Sequence, residues 1–166
     1  KYLLTNYVSE ENYIKAIYRL QGSDGTVSTN ALANALRTKP ASVTDMMKKL
    51  KAKKLLHYQP YQGFRLSQEG SRVALGIIRR HRLWEFFLAE KLLFSWDEVH
   101  EVAEELEHVS NKKLIDKLDE FLGFPRVDPH GDPIPDANGK IEVYKRTCLT
   151  ELPLQQAAIV SNVKDQ

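Results

Sequence analysis

The sequence predicts a mainly α-helical protein, with an N-terminal winged helix-turn-helix followed by a second helical domain. Two observations predict this fold class. Apolar residues recur at helical spacing through most of residues 10–122, which is the pattern of amphipathic helices. One stretch, "LLHYQPYQGFRLS" at 55–67, instead alternates around a Pro-Tyr-Gln-Gly centre, and this is typical of a small β-hairpin.

Three short helices are expected before the hairpin. Ser9 is the expected N-cap of the first, because serine followed by acidic residues suits a helix start, and "GSDGT" (22–26) ends that helix. Ser28 begins the second helix. Pro40 stands at the first position of the third, where its missing N–H is tolerated. The third helix runs to about Lys54, and the three together form a helix-turn-helix pattern.

The hairpin and the next two helices follow directly. The alternating residues of the hairpin are Leu56, Tyr58, Phe64 and Leu66, and a hairpin placed after a helix-turn-helix is the layout of a winged helix. Ser67 is expected to cap a long helix that runs to about Leu93. Ser95 and Glu98 match a capping box, which starts a helix that ends near Val109.

The remainder of the chain is expected to hold one more helix and a loop. Ser110 is expected to cap this helix, which Gly123 and Pro125 end and whose inner residues are Leu114, Leu118 and Leu122. Residues 125–140 contain four prolines and two glycines, so they predict a linker or an ordered loop. We expect three domains, at residues 1–72, 73–140 and 141–166.

Composition limits the class of protein. Hydrophobic residues make up 42% and charged residues 28% of the 166 residues, as in a globular domain with a core. No apolar run approaches the roughly 20 residues of a membrane span, and no signal peptide is visible. Cys148 is the only cysteine, which excludes an intramolecular disulfide and a thiolate zinc site. We therefore expect a cytoplasmic protein with no membrane partner.

Charge divides the chain into two halves. Residues 1–94 contain 16 basic and 7 acidic residues, whereas residues 95–166 contain 8 basic and 15 acidic residues. A basic first half suits a polyanion, and an acidic second half suits cations. Nucleic acid is the commonest polyanion inside cells, but charge alone does not identify the polyanion.

The third helix, "KPASVTDMMKKLKAKK", is the candidate recognition helix. Its small and polar N-terminal residues lie where such a helix enters the major groove of DNA, and its lysines suit phosphate contacts. Tyr61 and Arg65 on the hairpin are candidates for the flanking backbone. A lysine-coated solvated helix is the alternative, and RNA is a weaker one because no aromatic RNA-binding signature is present. The candidate DNA-binding residues are Thr29, Asn30, Lys39, Pro40, Ala41, Ser42, Thr44, Asp45, Lys48, Lys49 and Arg65.

The stretch "HEVAEELEHV" at 100–109 gathers metal-binding side chain types. At 100° per residue, one face about 100° wide holds His100, Glu104, Glu107 and His108. His81 and Glu85, four residues apart, share a face of the preceding helix. Imidazole nitrogens and carboxylate oxygens suit Mn²⁺, Fe²⁺, Co²⁺, Ni²⁺ or Zn²⁺. For each pair alone, an ordinary ion pair on a solvated helix is the alternative.

Two other classes of function remain as alternatives. A helical-bundle di-metal carboxylate enzyme would use Glu105-x-x-His108, but it needs a second Glu-x-x-His, and the sequence has none. A winged-helix regulator that senses a small organic ligand would leave the acidic helix merely solvated. No nucleophile triad or phosphate-binding glycine loop is present, so we expect neither enzymatic activity nor a small organic substrate.

The order winged helix, "RRHRLWEFFL", "DEVHEVAEELEHV", "DPHGDPIP" resembles the diphtheria toxin repressor and manganese transport regulator family over about residues 5–140. The resemblance implies a metal-dependent transcriptional repressor of metal-uptake genes. Such a homodimer binds palindromic double-stranded DNA operators when divalent metal is abundant. It also implies that residues 73–140 form a metal-binding and dimerisation domain, and that residues 141–166 begin an incomplete SH3-like domain.

The resemblance also implies two metal sites. One is an ancillary site of His81, Glu85 and His100, and the other is a primary site of Glu104, Glu107 and His108 that Asn12 completes. Iron-type members have a methionine where Asn12 stands and a cysteine where Glu104 stands. A set without sulfur favours Mn²⁺, with Fe²⁺ as the alternative; Zn²⁺, Co²⁺ and Ni²⁺ are expected to substitute in vitro. Metal held by both domains would set the spacing of the two recognition helices. His57 and His130 are expected to be structural.

Overall fold

Helices dominate the computed structural model, which describes residues 2–22, 25–59, 63–142, 148–153, 155 and 157. The predicted mainly α-helical class is confirmed. Contacts between residues divide the chain into two compact units, Lys1–Ile78 and Arg79–Gln166. The domain boundaries expected from the sequence stay predictions. The elements in chain order are α1 Tyr2–Gln21, α2 Thr29–Ala35, α3 Pro40–Ala52, β1 Leu56–Gln59, β2 Gly63–Leu66, α4 Gln68–Leu92, α5 Trp96–Leu106 and α6 Lys112–Phe121.

The starts of the first three helices are only partly as predicted. Ser28 is the N-cap of α2, and its hydroxyl accepts a hydrogen bond from the Ala31 N–H at 3.1 Å. Pro40 begins α3, as expected. The Ser9 prediction was wrong, because α1 begins at Tyr2 and already includes Ser9. A serine followed by glutamates gives the same local pattern inside a helix as at its start, so the cap could not be located from this pattern alone.

The predicted hairpin is present. Strands β1 and β2 pair antiparallel, with Leu56 opposite Leu66 and Tyr58 opposite Phe64. The two leucines are buried, and the Tyr58 and Phe64 ring centroids lie 5.3 Å apart. This alternation is the period-two pattern of a half-buried sheet. Tyr61 lies outside the described residues.

One apolar core holds the helices and the hairpin of the first unit together. Its residues come from α1, α2, α3, both strands and the start of α4. Burial of these side chains fixes which face of α3 points inward, since Val43, Met47 and Leu50 are almost fully buried. The opposite face of α3 is therefore left exposed.

A serine and a glycine define the start of α4. The Gly70 N–H donates to the Ser67 hydroxyl at 3.0 Å, and that hydroxyl donates to the Lys54 carbonyl at 2.8 Å. A Cβ on Gly70 would lie 2.0 Å from the Leu55 carbonyl oxygen, so a glycine is required at this close approach. The predicted Ser67 cap is confirmed.

In the second unit, α5 and α6 follow the long helix. The Ser95 N–H donates to the Glu98 carboxylate at 3.3 Å, as the capping box predicts. The N-cap of α6 is Asn111, whose side chain accepts from the Leu114 N–H at 3.1 Å. The Ser110 prediction was wrong by one residue, because serine and asparagine are equally good N-caps. None of the helices in the described part of the chain has the length and apolar character that crossing a membrane requires.

The proline-rich segment is an ordered loop attached to α4. The Arg79 guanidinium donates to the Pro135 carbonyl at 2.9 Å and to the Asp119 carboxylate at 2.7 Å. The Arg82 guanidinium donates to the Pro133 carbonyl. After this loop, the described residues of the expected SH3-like segment include one short 3-10 turn, Leu149–Glu151; the stretch "AAIVSNV" lies almost entirely outside the described residues.

Candidate metal centre and DNA-binding surface

Three predicted ligands meet between α4 and α5. His81 and Glu85 lie one helical turn apart on α4, and His100 comes from α5. His81 Nε2 lies 3.0 Å from Glu85 Oε1 and 3.2 Å from His100 Nδ1, and His100 Nδ1 lies 3.0 Å from Glu85 Oε1. Among the described residues, these three form the group of His, Cys, Asp or Glu side chains that could hold a metal ion. We call them the triad.

The geometry of the triad fits a divalent cation. Bonds of about 2.1–2.2 Å at right angles place neighbouring donor atoms about 3.0–3.1 Å apart, and the three edges of the triad are 3.0–3.2 Å. Two imidazole nitrogens and one carboxylate oxygen are donors for Mn²⁺ to Zn²⁺. His81 and Glu85 are buried, whereas the side chain of His100 is 51% exposed, so the triad can be reached from one side.

Burial and hydrogen bonding act in opposite directions on the charges of the triad. Burial raises the pKa of Glu85, but hydrogen bonds from His100 and His81 outweigh it and hold this pKa at about 2. Burial lowers the pKa of His81, but the carboxylates of Glu107 and Glu85 outweigh it, and the pKa is raised above 6.5. Glu85 is therefore ionised, and a proton on His81 is the natural competitor of a metal ion.

Glu107 connects the triad to the second predicted site. It lies just after α5, is fully buried, and its Oε2 lies 2.7 Å from His81 Nδ1. This distance is that of an ion pair. Its other oxygen lies 3.8 Å from His108 Nε2. His81 thus contacts Glu85 and His100 through Nε2 and Glu107 through Nδ1.

The other predicted ligands occupy different surroundings. Glu104 has a half-exposed side chain whose Oε1 lies 3.6 Å from His100 Nε2, so it faces the triad side of α5. His108 is largely buried, with its side chain 14% exposed, and it lies beside Glu107. Asn12 is a half-buried residue of α1, in the other unit. Their roles as ligands stay predictions.

His130 lies at the triad, a position that sequence reasoning missed. Its Nε2 lies 3.7 Å from Glu85 Oε1, and its ring packs edge-on against Trp96, with centroids 4.0 Å apart. Asp128 shapes the turn by accepting the backbone N–H of His130 at 2.9 Å. Glu85 and His130 stand 45 positions apart in the sequence, so no helical period connects them, although Asp-x-His in a proline-rich loop is typical of such a turn.

The predicted DNA-binding residues lie on exposed faces of the first unit. Outside α3, Asn30 and Arg65 are exposed and Thr29 is half-buried. The Thr44 hydroxyl donates to the Pro40 carbonyl at 3.0 Å, and Asp45 forms an ion pair with Lys48 at 3.2 Å. The exposed candidates on and beside α3 are Lys39, Pro40, Ala41, Ser42, Thr44, Asp45, Lys48 and Lys49.

Two family models match the chain, one for each helical domain. The model described as the N-terminal DNA binding domain of iron dependent repressors matches residues 7–64, and the metal binding and dimerisation domain of these repressors matches residues 67–136. The chain belongs to the iron-dependent repressor family. The resemblance to metal-dependent transcriptional repressors is thereby confirmed, and neither the enzyme nor the organic-ligand regulator fits these matches.

Curated members of the repressor family are similar over most of the chain. The HTH-type transcriptional regulator MntR of Oceanobacillus iheyensis is 33% identical over 120 residues, which are 72% of this chain and 81% of that protein. The iron-dependent repressor IdeR of Mycobacterium tuberculosis is 29% identical over 125 residues, 75% of this chain and 54% of that protein.

Solved structures of two manganese-linked transcriptional regulators share the fold. A manganese-dependent transcriptional repressor in complex with manganese is 39% identical, with a TM-score of 0.74 over 81% of this chain and 62% of that chain. The manganese regulator SloR is 36% identical, with a TM-score of 0.72 over 87% of this chain and 67% of that chain. The chain thus spans about two thirds of the length of these structures.

Proposed function

We propose that this chain is a Mn²⁺-dependent transcriptional repressor of metal-uptake genes that binds a palindromic operator as a homodimer. The observation that carries the proposal is the triad, where two imidazoles and an ionised carboxylate already stand at metal-ligand spacing. The triad lies in the segment that matches the family's metal binding and dimerisation domain. The exposed α3 lies in the segment that matches the DNA binding domain.

The donor atoms favour Mn²⁺ over softer metals. Every predicted ligand offers nitrogen or oxygen, and hard donors of this kind suit Mn²⁺ better than thiolate-seeking ions. Two similar structures are named for manganese, and IdeR is named for iron. We therefore place Mn²⁺ first and Fe²⁺ second.

The residues around His81 support a two-site arrangement. His81, Glu85 and His100 would hold one cation, and Glu104, Glu107 and His108, with Asn12, a second. A bound cation supplies positive charge beside buried carboxylates. Without a bound cation, the carboxylates of Glu85 and Glu107 stabilise the protonated form of His81. They thereby raise the pKa of that residue. Metal binding therefore has to displace this proton, and Glu107 orients the same ring from its other side.

An exposed apolar surface supports dimerisation of the second unit. Leu93 is 83% exposed and Phe121 is 65% exposed, and Leu92 and Trp96 are about half exposed. Phe87 packs against Phe121, with ring centroids 6.3 Å apart. Large apolar side chains mark an interaction site when they form one contiguous exposed patch. We propose a second copy of this chain as the occupant, because the segment matches a dimerisation domain.

Two copies of α3 in a dimer would contact two half-sites. Such half-sites lie about one helical turn of DNA apart, so a palindromic operator mirrors the two-fold symmetry of the protein. The lysines of α3 would bind phosphates, and each contact adds to the salt dependence of binding. Metal acts as an effector if it binds the DNA-competent arrangement more tightly than the others.

The test is a DNA-binding titration under anaerobic conditions. The wild-type chain is incubated with operator DNA selected from a random pool, and fluorescence anisotropy follows binding as Mn²⁺, Fe²⁺ or Zn²⁺ is added. The proposal predicts that Mn²⁺ promotes binding and that a chelator reverses it. Asn12→Ala is expected to weaken the Mn²⁺ response. DNA binding of equal strength after chelation would overturn the proposal.

A further inference from the structure

We propose that Asp45 and Lys48 on α3 together recognise one C·G base pair in each operator half-site. The inference rests on the proposed function, in which α3 enters the major groove. It adds a specificity-determining pair, because an ion pair on the exposed face of a recognition helix offers a hydrogen-bond acceptor and a donor side by side.

The first observation is the placement of a single carboxylate on the exposed face of α3. Asp45 is the only acidic residue between Pro40 and Ala52, and its side chain is 72% exposed. The same helix exposes Lys48, Lys49 and Lys51. A surface that binds phosphates repels a carboxylate, so an acidic residue here is favourable for DNA binding only where it meets a hydrogen-bond donor of a base.

The second observation is the spacing of the pair. Lys48 Nζ lies 3.2 Å from Asp45 Oδ1, and the Lys48 side chain is 74% exposed. On the major-groove edge of a C·G pair, the cytosine N4 amino group is a donor, and guanine O6 and N7 are acceptors. The cytosine amino group and guanine O6 are hydrogen-bonded to each other, so they lie about 2.9 Å apart. The carboxylate and ammonium can therefore meet this donor and acceptor at once.

The other base pairs complement the ion pair less well. An A·T pair also offers an amino donor beside a carbonyl acceptor, but adenine N7 stands next to that amino group and repels a carboxylate. On the same pair, Lys48 would meet one thymine oxygen beside a methyl group, instead of the two acceptors of guanine. A carboxylate directed at guanine or thymine meets acceptors alone. Asp45 and Lys48 are therefore expected to select cytosine as the base that the Asp45 carboxylate contacts.

The neighbouring side chain does not compete for this role. The Thr44 hydroxyl donates to the Pro40 carbonyl at 3.0 Å, which is a local bond within the helix. The ordinary alternative is that Asp45 and Lys48 form a surface ion pair, three residues apart, that merely supports the helix. A matched pair of that kind exists at Glu69 and Arg72 on α4, at 3.1 Å and with both side chains 61% exposed.

The experiment is selection from a random double-stranded DNA pool by the full chain with Mn²⁺, followed by sequencing. Wild type is expected to require C·G at one position of each half-site, with about tenfold weaker binding when that pair is changed. Asp45→Asn is expected to shift that position towards adenine, which an amide side chain recognises. Asp45→Ala should lose the preference at that position alone, and Lys48→Met should weaken it. The control Glu69→Gln should keep the wild-type motif.

The outcomes separate the two proposals. If wild type enriches no sequence with Mn²⁺, the proposed function fails, and the inference fails with it. If wild type enriches a motif that Asp45→Asn and Asp45→Ala leave unchanged, the inference alone is overturned. Circular dichroism and thermal melting of both Asp45 variants verify that the helix content and stability of the chain are unchanged, so an altered motif reports recognition.

Discussion

Two charged pairs, each within one turn of a helix, differ in almost every physical respect. Asp45 and Lys48 on α3 are 72% and 74% exposed, whereas His81 and Glu85 on α4 are 4% and 3% exposed. An exposed pair contributes little stability because water solvates both charges. A buried pair is costly to break because each charge depends on the other. Asp45 and Lys48 can thus separate to bind a DNA base. His81 and Glu85 are instead held at a spacing that suits a cation.

The largest expected effect comes from Glu85→Gln, which breaks the buried pair. The metal-free protein should lose about 3–5 kcal/mol of folding free energy, because His81 loses a buried partner. Mn²⁺ affinity at the triad should fall about a hundredfold or more. Loss of a ligand is expected to cost more affinity than the roughly 10–100-fold that is typical for loss of a residue that only supports a ligand. Urea denaturation and isothermal titration calorimetry measure the two effects.

Glu104→Gln is the matched control for Glu85→Gln. Its carboxylate also faces a triad histidine, His100, but it is half-exposed, so removal of its charge should change folding free energy by less than about 1 kcal/mol. Equal losses of stability in the two variants would show that burial does not distinguish these carboxylates.

The next effect is expected from Glu107→Gln. The carboxylate of Glu107 lies 2.7 Å from His81 Nδ1, and loss of such a partner of a metal-binding histidine usually lowers affinity about 10–100-fold. The pKa of His81 should also fall, because the carboxylate of Glu107 is one of the two that raise it. NMR titration of the His81 ring and calorimetry with Mn²⁺ measure both changes. An unaltered His81 pKa would contradict the contact between the two predicted sites.

The pH dependence of metal binding sharpens the contrast further. A protonated His81 cannot ligate a metal, and its pKa is raised above 6.5, so Mn²⁺ affinity should rise with pH through that raised pKa. The pKa of Glu85 is about 2, so this carboxylate is ionised throughout and adds no pH dependence near neutrality. About one proton should be released per ion bound at the triad below the His81 pKa. Calorimetry in buffers of different ionisation enthalpy counts the protons, and zero release at pH 6 would be inconsistent with the raised pKa.

The smallest expected effect is on the exposed pair. Asp45→Asn should change the folding free energy by less than about 1 kcal/mol, because exposed ion pairs contribute little. Its sequence preference for DNA should nevertheless change. Thermal melting measures the first property and DNA selection the second. A large loss of stability would mean that Asp45 has a structural role and is not free for DNA.

The periodicity of apolar residues predicted most of the helices and strands. Helix ends were misplaced where the same residue types suit more than one position. The helices and the hairpin could be predicted because apolar spacing separates a 3.6-residue period from a two-residue period. The caps at Ser9 and Ser110 were misplaced because the same residue types suit a helix interior or a neighbouring cap. The inner face of α6 was also shifted, since Ile115 and Leu118 are buried while Leu114 is 43% exposed.

The site was predicted in part, for a geometric reason. Residues four apart share a helix face, so His81 and Glu85 could be paired from their spacing, and His100 joins them across the helices. Spacing in the sequence does not show how deeply a side chain is buried. Glu104 and Glu107 fall on one helical face, yet the first is half-exposed and the second is fully buried. His130 was missed because a loop brings it to Glu85 from a distant part of the sequence.

Anomalous diffraction from crystals grown with Mn²⁺ tests most directly whether the triad binds a divalent cation. We expect a manganese peak within bonding distance, about 2.1–2.3 Å, of His81 Nε2, Glu85 and His100 Nδ1. Absence of a peak there, with His81 and His100 still hydrogen-bonded to Glu85, would contradict it.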